Sequence, residues 1–142
     1  MMKRIVAAAF GPALLASPAA AATKMTVYKD PNCGCCAAWA QIMAREGFEV
    51  QVKDTDKLDA MRKMAGVPER FAGCHMAMVD GYIVEGHVPP AVVKKLVAEK
   101  PAIKGVSLPG MPAGSPGMGG AKEGPFQVLA IGDGAPRVYA TD

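Results

Sequence analysis

Three of the four cysteines in this 142-residue chain fall within Cys33-Gly34-Cys35-Cys36, and the fourth is Cys74. A disulfide that staples distant loops gains from closing a long stretch of chain, and sulfurs already adjacent in sequence offer almost none of that gain. The cluster therefore asks for a fold that gathers several sulfurs at one point for a chemical purpose. Its flanks indicate which fold. Met25-Thr26-Val27-Tyr28 is β-prone and stops at the turn-forming Asp30-Pro31-Asn32. From Cys33 to Glu46 the residues Trp39, Ile42 and Met43 recur at helical spacing, and Gly47 follows as a C-cap. The cysteines thus sit at a turn between a first strand and a first helix.

Downstream, Phe48-Glu49-Val50-Gln51-Val52 alternates like a half-buried strand, and Lys57 to Ala65 predicts a helix with Leu58, Met61, Met64 and Ala65 on one face. Ala77-Met78-Val79, Asp80-Gly81 and Tyr82-Ile83-Val84-Glu85 predict a hairpin, and Pro89-Pro90 opens a last helix through Leu96 and Val97. Met43, Met61, Met64 and Met78 are expected in the core. The order β-α-β-α-β-β-α, with cysteines at the first strand-to-helix turn, is the thioredoxin-like α/β sandwich. From Val106 the composition shifts to a Gly/Pro/Met loop, 109–120, followed by a hairpin candidate at Phe126–Ile131 and Arg137–Tyr139. The expected organisation is a leader over 1–22, a core domain over 23–105, and a loop and hairpin extension over 106–142 packed on the same domain.

The leader reads as a secretory signal: Lys3 and Arg4, then an apolar stretch from Ile5 to Ala16, then Ala20-Ala21-Ala22 as a small-residue cleavage site. Gly11, Pro12 and Pro18 break the apolar run, so stable membrane insertion is not expected. Export places the mature chain in the periplasm of a bacterium. Losing Lys3 and Arg4 takes the formal net charge from +3 to +1. That balance gives no reason to expect a nucleic-acid partner.

In an oxidising compartment, Cys33 and Cys36 have the spacing of a redox pair, but Cys35 is then superfluous. Neighbouring helical residues are rotated by about 100°, so three sulfurs fanned over one helix start suit several soft ions sharing bridging thiolates better than a single zinc. In this fold the segment entering the third strand passes beside the cysteine-bearing turn, which brings Cys74 and His75 to face the other three sulfurs. The alternative is a buried, unreactive Cys74 beside a surface His75. His87, the only other histidine, is a ligand or a group behind the ligands, or else a surface or helix-capping residue. Met111 and Met118 lie in the Gly/Pro loop with no hydrophobic pattern to explain them; their thioethers are soft ligands for Cu(I), or else they pin the loop to the domain.

Asp30-Pro31-Asn32-Cys33-Gly34-Cys35-Cys36, Cys74-His75, Glu85-Gly86-His87-Val88-Pro89 and the 109–118 loop together resemble the CopG-type family of exported copper-resistance proteins, which is unrelated to the DNA-binding repressor of that name. The resemblance spans essentially the whole mature chain. It implies a thioredoxin-like fold with a cysteine-bridged multinuclear copper site, and Cys33, Cys35, Cys36 and Cys74 as the copper-binding thiolates. In that family the residue after Cys-His is commonly Thr, and here it is Met76. The leading expectation is a periplasmic protein that sequesters or transfers Cu(I), contributes to copper resistance, cycles copper between oxidation states, and exchanges metal with other periplasmic copper-handling proteins. A thiol-disulfide oxidoreductase using Cys33 and Cys36 is the alternative from the enzyme class, and a metal-free, disulfide-stapled interaction domain is the third.

Overall fold

A computed structural model describes residues 20–142; most of the expected signal segment, 1–19, lies outside the described residues. The elements are β1 (Lys24–Lys29), α1 (Gly34–Arg45), β2 (Glu49–Asp54), α2 (Leu58–Met64), a 3-10 turn (Glu69–Phe71), β3 (Met76–Val79), β4 (Tyr82–Gly86), α3 (Pro90–Glu99), β5 (Gly105–Leu108), β6 (Gln127–Ile131) and β7 (Arg137–Thr141). They build one seven-stranded sheet in the order β2-β1-β3-β4-β5-β6-β7. β1 pairs parallel with β2 and antiparallel with β3. β3 and β4 form the expected hairpin, closed at Asp80-Gly81 with φ of +47° and +82°, the two positive values a tight hairpin turn needs.

Helices cover both faces. On one, Trp39 and Met43 of α1 and Val92, Val93 and Leu96 of α3 pack over Met25, Val27, Ala77, Val84 and Val106. On the other, Val67 and Phe71 pack over Met76, Ile83 and Ile131, with Leu58, Met61 and Ala65 half-buried beside them. The alternation of β3 sends Met76 and Ala77 to opposite faces.

Two expected core methionines prove exposed. Met64 is 82% and Met78 42% exposed. α2 is only seven residues long, and the side chain it buries is Arg62. Met78 shares a sheet face with Met76, but the smaller core covers only the Met76 end. Met76 itself packs in that apolar cluster.

The boundary expected at Val106 falls inside a strand, while the loop begins at Pro109 as expected. Gly105–Leu108 is a wholly buried strand paired parallel to β4, and β6 adds antiparallel to it. A four-residue run buried on both faces has no alternation to reveal it. The C-terminal hairpin therefore extends the central sheet. Among the described residues no helix is long and apolar enough to cross a membrane.

Candidate metal centre

β1 ends at a turn in which Asp30 Oδ1 accepts from the Asn32 N–H at 2.8 Å and the Asp30 carbonyl accepts from the Cys33 N–H at 3.0 Å. This side-chain-reinforced turn stops the strand and hands Cys33 to α1 as its N-cap residue. Cys35 and Cys36 follow in the first helical turn, Cys36 fully buried and Cys33 and Cys35 half-buried.

Cys74 arrives from the far side, on the segment between the 3-10 turn and β3. Its Sγ lies 3.3 Å from Cys33 Sγ, 3.5 Å from Cys35 Sγ and 3.2 Å from Cys36 Sγ, and Cys33 and Cys35 are 3.5 Å apart. The antiparallel pairing of β1 with β3 causes this convergence: the end of β1 and the start of β3 share one edge of the site. In this state Cys33 and Cys36 are joined in a disulfide and Cys35 and Cys74 are free thiols. The expected four thiolates are thus two thiols and one disulfide here. Residues three apart at a helix start have Cα atoms 5.4 Å apart, well inside the bonding range.

Two buried imidazoles extend the cluster. A Cys74 sulfur, one His75 nitrogen and one His87 nitrogen all lie within 4.8 Å of one another. His75 is fully buried rather than on the surface, its ring 4.5 Å from Trp39 and 5.0 Å from His87 between centroids. Neither of its ring nitrogens has a hydrogen-bond partner among the described residues. Buried polar atoms without partners are costly, so two of them beside a sulfur cluster point to a bound species. His87 Nδ1–H donates to the Pro116 carbonyl at 2.7 Å, which leaves the Nε2 lone pair free and unpartnered. Burial drives the His75 imidazole down to about 3 and lowers that of His87 as well, so both rings are neutral and ligand-ready at pH 7. Burial, reinforced by the neighbouring Cys35 thiol, pushes the Cys74 thiol up to about 11.

The Gly/Pro loop straps the site. Gly117, at φ +86°, lies against the first turn of α1 so closely that a Cβ there would sit 2.8 Å from both the Cys35 carbonyl oxygen and the Trp39 nitrogen. Ser115 is buried and donates to the Pro112 carbonyl, shaping the turn that presents Pro116 to His87. Met118 is half-buried next to Gly117, whereas Met111 is 59% exposed and follows Gly110, which bridges to Gly73 beside Cys74. The structure therefore gathers the four cysteines, His75 and His87, and sets the two methionines at opposite ends of the strap.

Residues 71–118 match the family model described as "Protein of unknown function, DUF411", a span that includes Cys74, His75, His87, Met111 and Met118. Among solved structures, "Copper resistance protein copG- Form 2" is similar with a TM-score of 0.77 and 36% identity over 85% of this chain and 98% of that chain. The chain belongs to the CopG family. A second CopG structure, "Copper resistance protein copG- Form 1", is similar with a TM-score of 0.75 and 37% identity over 84% of this chain and 96% of that one. No curated protein matches.

Around this CopG site stand groups that the motif reading did not single out. Trp39 Nε1 donates to the Val88 carbonyl at 2.9 Å, tying α1 to the chain just past His87. Arg62 and Glu85 form a buried ion pair behind Cys74. A lone charge in the apolar run Ile83-Val84-Glu85 was the signal available for Glu85.

Proposed function

We propose that this chain is a periplasmic copper carrier that sequesters Cu(I), or passes it to other copper-handling proteins, through a multinuclear site bridged by Cys33, Cys35, Cys36 and Cys74. The observation that carries the reading is the approach of the Cys74 sulfur to within 3.5 Å of the other three, next to imidazole nitrogens that have no partner. Thiolates shared between ions, with neutral imidazole and thioether at the margin, are the donor set that soft Cu(I) prefers over harder divalent ions. His75 and His87 are assigned as ligands on the buried side. Met118 and Met111 are assigned as thioether donors where copper enters and leaves.

Loading needs the reduced state. Two electrons and two protons convert the Cys33–Cys36 disulfide to two thiols, and each thiol that then binds copper gives up its proton. Oxidation of the Cys33 and Cys36 thiolates back to the disulfide, with their two electrons taken up by an external disulfide or by two Cu(II) ions that become Cu(I), withdraws two of the four sulfurs and supplies a route for release. The cysteine turn between β1 and α1, with the β3–β4 hairpin and α3 following, supports the thioredoxin-like reading of the core. Export is supported by Ala20–Ala22, which are exposed and without secondary structure, one residue ahead of β1.

The formed Cys33–Cys36 disulfide also favours a second reading, a thiol-disulfide oxidoreductase in which Cys35 is dispensable. Anaerobic titration of the reduced protein with Cu(I), followed by desalting and metal analysis, separates the two. The copper reading expects more than one Cu(I) retained per chain. One copper or none, together with ready reduction of insulin disulfides, would establish the oxidoreductase instead.

A further inference from the structure

Directly behind Cys74 lies a pair of charges largely shielded from solvent. Arg62 on α2 is 8% exposed and Glu85 on β4 is fully buried, and Arg62 Nε donates to both carboxylate oxygens at 3.1 Å. Each partner also bonds the same backbone residue. Arg62 Nη2 donates to the Gly73 carbonyl at 2.8 Å, and the Gly73 N–H donates to Glu85 Oε2 at 3.0 Å. Gly73 is therefore gripped by both of its backbone groups, and the next residue is Cys74. Glu85 in turn precedes Gly86, whose N–H donates to the His75 carbonyl at 2.9 Å, and then His87. The two glycines are in van der Waals contact: a Cβ on Gly73 would fall 2.4 Å from Gly86 Cα.

Burying two charges costs several kcal/mol each, and apolar side chains of the same volume commonly stabilise a fold equally well. The ion pair therefore calls for a role other than bulk stability. Between the 3-10 turn and β3 the chain belongs to no strand; apart from the Gly86 bond to the His75 carbonyl, its tie to the rest of the sheet is one bridge, Gly73 to Gly110. A segment so sparsely paired needs another restraint to keep its sulfur in place.

We infer that Arg62 and Glu85 are positioning residues for Cys74: by holding Gly73 at both its N–H and its C=O they fix the Cys74 sulfur against the sulfurs of the α1 turn. This deepens the copper reading, on which it rests for its purpose. The effect itself is on sulfur geometry, which is measurable without metal.

The test uses a chain carrying Cys33→Ser and Cys35→Ser, which keeps the buried Cys36 and its neighbour Cys74, with sulfurs 3.2 Å apart. Equilibration with glutathione disulfide converts the two thiols to a Cys36–Cys74 disulfide and releases two glutathione thiols, so the equilibrium constant reports the effective concentration of one thiol at the other. Replacing the pair with Arg62→Met and Glu85→Leu should lower that effective concentration about tenfold or more, while far-UV circular dichroism stays native. The parental value in the folded variant would overturn the inference. Should that variant not fold, Glu85→Gln decides: its amide turns a donor toward Arg62 or toward the Gly73 N–H, and a drop of about threefold or more is expected, with no drop overturning the inference. Because no copper is present, a parent chain that fails to bind Cu(I) would refute the copper reading and leave this measurement standing.

Discussion

The Cys74 thiol holds its proton more tightly than an ordinary cysteine, at about 11, because burial and the adjacent Cys35 thiol both disfavour a thiolate without metal. Copper must displace that proton, so apparent Cu(I) affinity should climb about tenfold per pH unit for each proton released. Competition with a Cu(I) chelator between pH 6.5 and 8 reads this slope, and a flat affinity would contradict binding at Cys74. His75 carries a second pH signature, in the metal-free protein. Its imidazole titrates at about 3 when folded and near 6.5 when unfolded. Between those values the unfolded chain holds the extra proton, so this contribution is complete above the unfolded value and is lost as pH falls below it, at up to about 1.4 kcal/mol per unit. Urea denaturation at pH 7 and pH 4.5 should show the loss, and His75→Phe should remove the larger part of it. A parental slope in that variant would show that the ring is not what titrates. The four sulfurs and two imidazoles as candidate donors were legible in the sequence, because residue type alone fixes which ligand atoms a side chain can offer. That His75 has no partner for either nitrogen was not, since that depends on Trp39 and His87 packing around it.

At the scale of elements, the strap over α1 makes a separable prediction. Gly117→Ala places a methyl 2.8 Å from the Cys35 carbonyl oxygen and the Trp39 nitrogen, in a left-handed backbone conformation, so the strap must lift or α1 must yield. A loss on the order of 1–3 kcal/mol is expected, together with weakening of the His87 Nδ1–H bond to Pro116, readable from the ring nitrogen NMR shifts. Unchanged stability and unchanged ring shifts would mean that the strap is not what fixes His87. The boundaries of β1, α1, β2 and α3 follow from local pattern, turn residues and caps, and the structure places them within two residues of expectation. β5 did not follow, because a short strand buried on both faces is set by its neighbours β4 and β6 rather than by its own alternation. The face of α2 was misjudged for a related reason: a carboxylate on β4, distant in sequence, turns Arg62 inward and leaves Met64 in water.

At the scale of the whole molecule, the sheet order explains why cysteines far apart in sequence form one site. β1 lies between β2 and β3, so the turn leaving β1 and the segment entering β3 must meet at one end of the sheet. The CopG solved structures share this architecture over nearly their full length. We propose that Cys74 completes a four-sulfur copper site, and Cys74→Ser removes that fourth sulfur. The change keeps the side chain's size while exchanging a soft thiolate for a hard hydroxyl. Copper retained by the reduced, Cu(I)-saturated variant should fall below the parental count per chain, with native far-UV circular dichroism. Retention of the parental amount of copper at unchanged affinity would contradict the claim.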